Sequence, residues 1–209
     1  MPEKTSELDA VNTILSTIGE PPINSLTGQQ NQDAAIARNI LSEISREVQS
    51  QGWHFNTLYN ISLSPDSNKH IILSNEVVRV DNDTSVPRDG SVSTVNESRS
   101  VIQRGNKLFD KTNNTFEFST SIRLTLVYLY PFEELPEPAR RYVNIKAARV
   151  FQDRLVGSQK GNMFTMQDEM KALSILKEYE GDTADHSIFD NQDVFSIVNR
   201  RSGIRGAGY

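Results

Sequence analysis

Cysteine is absent from all 209 residues, which removes disulfides, thiolate nucleophiles and cysteine-based zinc sites together. Stability must then come from packing and from assembly. Histidine is scarce: His54, His70 and His186 are widely separated and form no HExxH-type pair, so no metal and no cofactor is expected. No apolar run approaches the roughly 20 residues of a membrane-spanning helix, and no direct membrane insertion is expected. The opening MPEKTSELDA is polar and acidic, so no secretory signal is expected and the chain reads as cytosolic at synthesis. Positive charge is also in deficit. A formal charge of −5 and a pI near 5.3 argue against a protein that grips nucleic acid, because neutralising phosphates takes a surplus of Lys and Arg. A surface past which DNA slides without adhering stays compatible with that balance.

What the chain does contain is the composition of a globular protein, 36% hydrophobic and 23% charged, long enough for one generous domain or two small ones. Its most organised stretch runs from Asp33 to Phe55. Ile36, Ile40, Leu41, Ile44 and Val48 recur at helical spacing with Arg38, Ser42, Arg46, Glu47 and Gln49 between them, so one face of a long helix is committed to a core. Gly52 supplies a left-handed stop, and Trp53 and Phe55 anchor the turn that follows. Upstream, Ser6 and Asp9 match a capping box, and Leu8, Val11, Leu15 and Ile18 mark a first helix ended by Gly19, Pro21 and Pro22. A polar connection between these helices predicts an antiparallel hairpin.

From Thr57 the period changes from helical to alternating. Tyr59, Ile61 and Leu63 alternate with polar residues, and short apolar runs recur at 71–73, 77–80, 101–102 and 108–109. The strongest strand is 122–130, with Ile122, Leu124, Leu126, Tyr128 and Tyr130 on one face. The polar interval 81–98 is expected to be a mobile loop. Helical pattern returns at PFEELPEPARRYV, with Pro138 in the first turn and Glu133, Glu134 and Glu137 at its positive end. Tyr142, Val143, Ile145, Ala147, Ala148, Val150, Phe151 and Leu155 cover most of that helix, which predicts a central position, and Gly157 stops it. Thr165 and Asp168 suggest the cap of a fourth helix, traced by Met166, Met170, Leu173, Leu176 and Tyr179 and closing near Gly181. The expected fold is therefore α+β: a four-helix bundle from residues 1–56 and 132–181, an inserted antiparallel β module at 57–131, and an extended arm at 182–209.

The residues bear on several chemistries. Asp81, Asn82 and Asp83 imitate the start of a calcium loop but lack its glycine and closing glutamate. No GxSxG elbow surrounds a serine, and Gly203, Gly206 and Gly208 follow no strand, which excludes a dinucleotide fingerprint. Glu133, Glu134 and Glu137 offer the paired acid and base of a glycosidase, although a helix amino terminus already accounts for them. Arg140, Arg141, Lys146, Arg149 and Arg154 share one helix and are expected to pair with acidic neighbours such as those of the fourth helix. Arg200, Arg201 and Arg205, with Tyr209 at the end, lie in a glycine-rich tail that also carries Ile188, Phe189, Phe195 and Ile197. That mixture suits an arm ordered against a partner, and these four residues are the candidate partner contacts.

Four blocks give the chain a family resemblance. Ile18, Gly19, Glu20 and Pro21 close the first helix, and Ser50, Gln51, Gly52, Trp53, His54, Phe55 and Asn56 close the second. Arg104, Gly105, Asn106, Lys107, Leu108, Phe109 and Asp110 look like a hairpin of the form R-G-x-L-Y/F-D, and PFEELPEPARRYVNIKAARVFQDRLVGS follows. In this order they resemble the tail tubular protein A family, the head-to-tail adaptor of short-tailed podoviruses, over most of residues 6–180. The loop 81–98 and the tail match least. The resemblance implies a structural virion protein rather than an enzyme, acting as a dodecameric ring below the portal protein. The nozzle, tail tubular protein B, attaches beneath, tail fibres are supported at the side, and viral DNA passes through without specific binding. It further implies a place in the virion tail, reached from the host cytoplasm during assembly. The alternative kept from another class is a tail-associated glycan-degrading enzyme using the glutamates at 133, 134 and 137.

Overall fold

Ser6 begins the ordered helices. Its hydroxyl accepts from the Asp9 amide at 3.1 Å, and the Asp9 carboxylate accepts from the Ser6 amide at 3.0 Å, closing the expected capping box of α1, Glu7–Ser16. The Ser6 hydroxyl, which also donates to the Asp9 carboxylate at 2.6 Å, and then the Ser6 amide hold that carboxyl below its ordinary value, because each bond favours the charged form. The computed structural model describes residues 4–27, 31–82, 100–155, 157 and 159–183, the last stretch with side chains from 166 onward. The interval 83–98 of the expected loop and the whole candidate arm from 184, including Arg200, Arg201, Arg205 and Tyr209, lie outside the described residues.

The described residues form a mixed α and β fold, with four helices and two small antiparallel sheets among them. Helix α2, Gln32–Gln49, is capped by Asn31 and buries Ala34, Ala37, Ile40, Leu41, Ile44 and Val48, as its spacing predicts. Helix α3, Glu137–Leu155, buries Ala139, Tyr142, Val143, Ala147, Ala148 and Phe151 and packs against α1, α2 and α4, so its central position is borne out. Together these side chains form one hydrophobic cluster, joined by Trp53, Leu135 and, from α4, Ala172 and Leu176. Ion pairs stitch its surface: Arg38 to Glu7 at 2.8 Å, Lys146 to Glu47 at 2.8 Å and Arg154 to Glu43 at 2.9 Å.

The second cluster lies in the β region. Strands β1 (Thr57–Leu63), β2 (Val77–Asn82) and β5 (Ile122–Tyr128) form a sheet of order β1-β5-β2, while β3 (Val101–Arg104) and β4 (Lys107–Asp110) form a separate hairpin. Gly105, at φ +63, turns that hairpin, as the Arg104-to-Asp110 block anticipates. Central strand β5 buries Ile122, Leu124, Leu126 and Val127, and Ile71, Leu73, Leu108 and Phe118 close over it. Strand β1 carries a bulge between Leu58 and Ile61, with Asn60 at φ +57.

Several expectations are corrected. The run 71–73 is no full strand: Ile72 makes an isolated bridge to Lys107, while Ile71 and Leu73 still bury their side chains. The polar interval does not begin at residue 81, since Asp81 and Asn82 pair with β5. Strand β5 ends at Tyr128, and Tyr130 stacks on it from beyond the sheet, ring centroids 6.1 Å apart. Glu133 and Glu134 form a separate 3-10 turn, Phe132–Glu134, leaving only Glu137 in the first turn of α3. Helix α4 spans Gln159–Thr183, so Thr165 lies inside it rather than at its start. It also runs past Gly181, because one glycine near a helix end costs only about 1 kcal/mol and the Thr183 hydroxyl holds the Tyr179 carbonyl at 2.7 Å. Of the residues expected to trace α4, Leu176 is buried and Leu173 and Tyr179 pack against the same cluster, joined by Ala172, whereas Met166 and Met170 are 54% and 60% exposed.

The two clusters are joined by buried amides. Gln49, 0% exposed, donates through Nε2 to the Tyr130 carbonyl at 3.0 Å and accepts at Oε1 from the Tyr130 amide at 2.8 Å, so one side chain satisfies both backbone groups. Asn56, also 0% exposed, donates to the carbonyls of Gln49 at 2.9 Å and Tyr128 at 2.7 Å and accepts from the Trp53 amide at 2.8 Å. Gly52 between them sits at φ +79, where an added Cβ would meet Arg79 Nη2 at 2.6 Å and Val127 Cγ2 at 3.2 Å. Replacing Gln49 by Leu keeps the volume but strands two polar groups, and is expected to cost about 2–4 kcal/mol, read from the urea midpoint. Gly52→Ala is expected to cost about 1–3 kcal/mol in the same assay, from strain at positive φ together with displacement of Arg79.

Candidate functional site

The end of α2 places a helix carboxyl terminus beside the sheet. Arg79 on β2 answers it, donating through Nη1 to the carbonyls of Ser50 at 3.0 Å and Gln51 at 2.7 Å and through Nε to Asp81 at 2.8 Å. A cation there meets both the unpaired carbonyls and the negative end of the helix dipole. Helix α4 reaches the same joint, where Glu180 accepts from the His54 amide. At the amino end of α3, buried Arg140 donates to the carbonyls of Leu135 at 2.8 Å, of Thr5 at 2.8 Å and of Glu133, tying the chain start to the Phe132–Glu134 turn. Helix ends from both halves of the sequence thus converge on one braced corner.

A groove of about 330 Å³ opens at this corner, lined by Phe55, Tyr130, Glu134 and Pro136. Its walls are fixed from behind: Tyr130 by the Gln49 amide, Phe55 by the Trp53–Asn56 turn, whose indole Nε1 donates to the Val48 carbonyl at 2.8 Å. Tyr128 stacks behind Tyr130 at an interplanar angle of 10°. Burial first, then the neighbouring Tyr130 and Glu76, hold the Tyr128 phenol above its ordinary range. Among the described residues the carboxylates of Glu133 and Glu134 have no hydrogen-bond or ion-pair partner. The corner therefore offers two aromatic faces and a free negative charge.

The glutamates considered for acid and base catalysis do not converge. A glycosidase sets two carboxyls across a cleft, roughly 5–10 Å apart. Here Glu134 alone of the three lines the groove, and Glu137 is engaged by the Thr5 hydroxyl and amide. His54 lies exposed on its turn and His70 faces Lys107 Nζ at 3.3 Å, while His186 is outside the described residues. Among the described residues no group of three or more His, Asp or Glu is placed to hold a metal ion, and no helix is long and apolar enough to cross a membrane.

Of the basic set on α3, Lys146, Arg149 and Arg154 pair with carboxylates as expected, whereas Arg140 binds backbone carbonyls and Arg141 makes no ion pair among the described residues. Arg149 bonds Glu169 of α4 and Asp153 of its own helix, whereas Lys146 and Arg154 turn the other way, to Glu47 and Glu43 of α2. The Arg154 guanidinium holds the Glu43 carboxyl below its ordinary value. Among the described residues the exposed large apolar side chains include Met166 and Met170 on α4 and Leu58 and Tyr59 on β1, the last two 45% and 61% exposed. The two methionines trace the fourth helix in the sequence, whereas nothing there joins Gln49, Asn56, Arg79 and Tyr130 as a unit. A glutamine on an otherwise apolar helix face was the available signal. The arrangement is a braced joint flanked by exposed apolar side chains.

Comparison with known proteins agrees with that character. A family model described as tail tubular protein matches residues 8–186. The chain is similar to "Tail tubular protein A" of Klebsiella phage KP34, 27% identical over 174 residues, which covers 83% of this chain and 86% of that protein. With a match across both helix pairs, the sheet and the joint between them, this chain belongs to the tail tubular protein family and is a structural protein of the bacteriophage tail.

Proposed function

We propose that the protein is the head-to-tail adaptor of its virion: a dodecameric ring that joins the portal protein to the nozzle, tail tubular protein B, and forms part of the channel for viral DNA ejection. Family membership over residues 8–186 is the observation that carries this reading. The helix pairs at 1–56 and 132–181 act as one bundle, the module at 57–131 faces the nozzle, and the arm at 182–209 reaches the portal or an adjacent subunit through Arg200, Arg201, Arg205 and Tyr209. Tail fibres rest against the assembled ring, and assembly takes place in the host cytoplasm.

Physical features of the subunit support a geometric rather than a catalytic role. Exposed apolar residues on α4 and β1 suit burial against neighbouring copies, which a ring supplies at every interface. The net charge of −5 suits a wall that DNA passes without sticking. Braced by Gln49, Asn56 and Arg79, the joint keeps the helical and sheet surfaces at a fixed angle, as a passive adaptor requires.

The deciding measurement is the mass of the purified protein by light scattering on a sizing column, alone and after mixing with its portal. A ring alone, or a shift into a portal complex, is expected; a persistent monomer that ignores the portal would overturn the adaptor reading. Deletion of residues 183 to 209 is expected to leave a folded protein that no longer joins the portal. Wild-type capture of the truncated form in a pull-down would remove the arm from the mechanism.

A further inference from the structure

We infer that the groove at the helix–sheet corner is a docking site for the arginine pair Arg200 and Arg201 of the same chain, which stores the arm on its own subunit before assembly. The inference concerns a single free chain and does not rest on the ring reading.

Three observations lead to it. The groove presents Phe55 and Tyr130 as aromatic walls, Pro136 beside them and Glu134 at its rim. That set matches a guanidinium, whose flat cation stacks on aromatic rings while its N–H groups fork onto a carboxylate; a lysine would forgo the stacking. Charge is complementary as well. Glu133 and Glu134 are exposed and without partners among the described residues, and the sequence Asn199, Arg200, Arg201 carries two adjacent positive charges.

The route is short. Glu180 of α4 bonds the amide of His54, the residue next to Phe55, so α4 ends at Thr183 close to the groove wall. Residues 184–199 then separate the helix end from the arginine pair. At roughly 3.3 Å per extended residue they span about 50 Å, ample for the chain to turn back, and the closure entropy of such a loop grows only slowly with length. Tethering at this distance gives an effective concentration near the millimolar range, well above that of a second copy at micromolar protein. The backbone beneath the Tyr130 wall is held at both its N–H and its C=O by Gln49, and the ring stacks on Tyr128.

The absence of cysteine makes a direct test possible in the full chain. The variant Glu133→Cys/Ser202→Cys places one thiol beside the groove and one beside the arginine pair while leaving Glu134, Arg200 and Arg201 intact. The control Ser121→Cys/Ser202→Cys moves the first thiol to the far end of β5, about 20 Å away along the strand. With a short bis-maleimide at micromolar protein, the first pair is expected to give an intramolecular cross-link of monomer mass at least about fivefold faster than the control, as tethered docking requires. Adding Glu134→Gln, or raising salt to about 0.5 M, is expected to remove most of that advantage. Equal rates in the two pairs would overturn the inference, and so would products of twice the monomer mass, which would assign the groove to a second copy.

Discussion

Everything in this subunit depends on one side chain satisfying one backbone. Gln49, wholly buried at the end of α2, pairs with both the N–H and the C=O of Tyr130, acting as an extra strand partner just past the point where β5 leaves its sheet. A buried amide in that position is costly unless every atom is matched, and here its second N–H also meets the Ser45 hydroxyl at 3.0 Å. Matching is what gives the joint its specificity. Apolar contact alone would let the helical and sheet clusters slide, whereas hydrogen bonds of fixed direction admit one register.

The surrounding contacts reinforce the same corner. Asn56 spans from Gln49 to Tyr128, and Arg79 closes the helix end from the sheet side. Arg140 gathers three carbonyls where the chain re-enters its second helical half. The same device recurs in the first hairpin, where Asn12 binds both backbone groups of Ile23, at 3.0 Å and 2.8 Å. With cysteine absent, directional polar clamps around two apolar clusters carry the role that cross-links have elsewhere. Exposed ion pairs such as Arg154–Glu43 add little by comparison, since water screens them.

Function follows from leaving some surfaces unfinished. Helix α4 commits Ala172 and Leu176 to α3 and leaves Met166 and Met170 outside, and β1 leaves Leu58 and Tyr59 beside its bulge. Exposed apolar surfaces of this kind suit a tail protein that packs against other proteins of the tail. Rigidity at the joint and incompleteness at the faces belong together: a subunit transmits a docking geometry only if its own halves do not move.

The sequence by itself determined much of this. Caps and periodicities are local, so Ser6 with Asp9, the α2 stripe, the left-handed Gly52, the alternating residues of β5 and the central α3 were legible from residues within a few positions of one another. The same locality misled at α4, where a Thr165-to-Asp168 spacing imitates a cap inside a helix and an apolar spacing cannot say which side a neighbour covers. The groove walls were likewise only single aromatics in the sequence. Tertiary structure alone decided that Gln49 would meet Tyr130 across 81 positions, that Arg79 would fill the space beside Gly52, and that Phe55 and Glu134 would share a groove. Direction and distance between remote residues arise only once both clusters have packed, because a hydrogen bond fixes its partner in space and leaves no periodic trace along the chain.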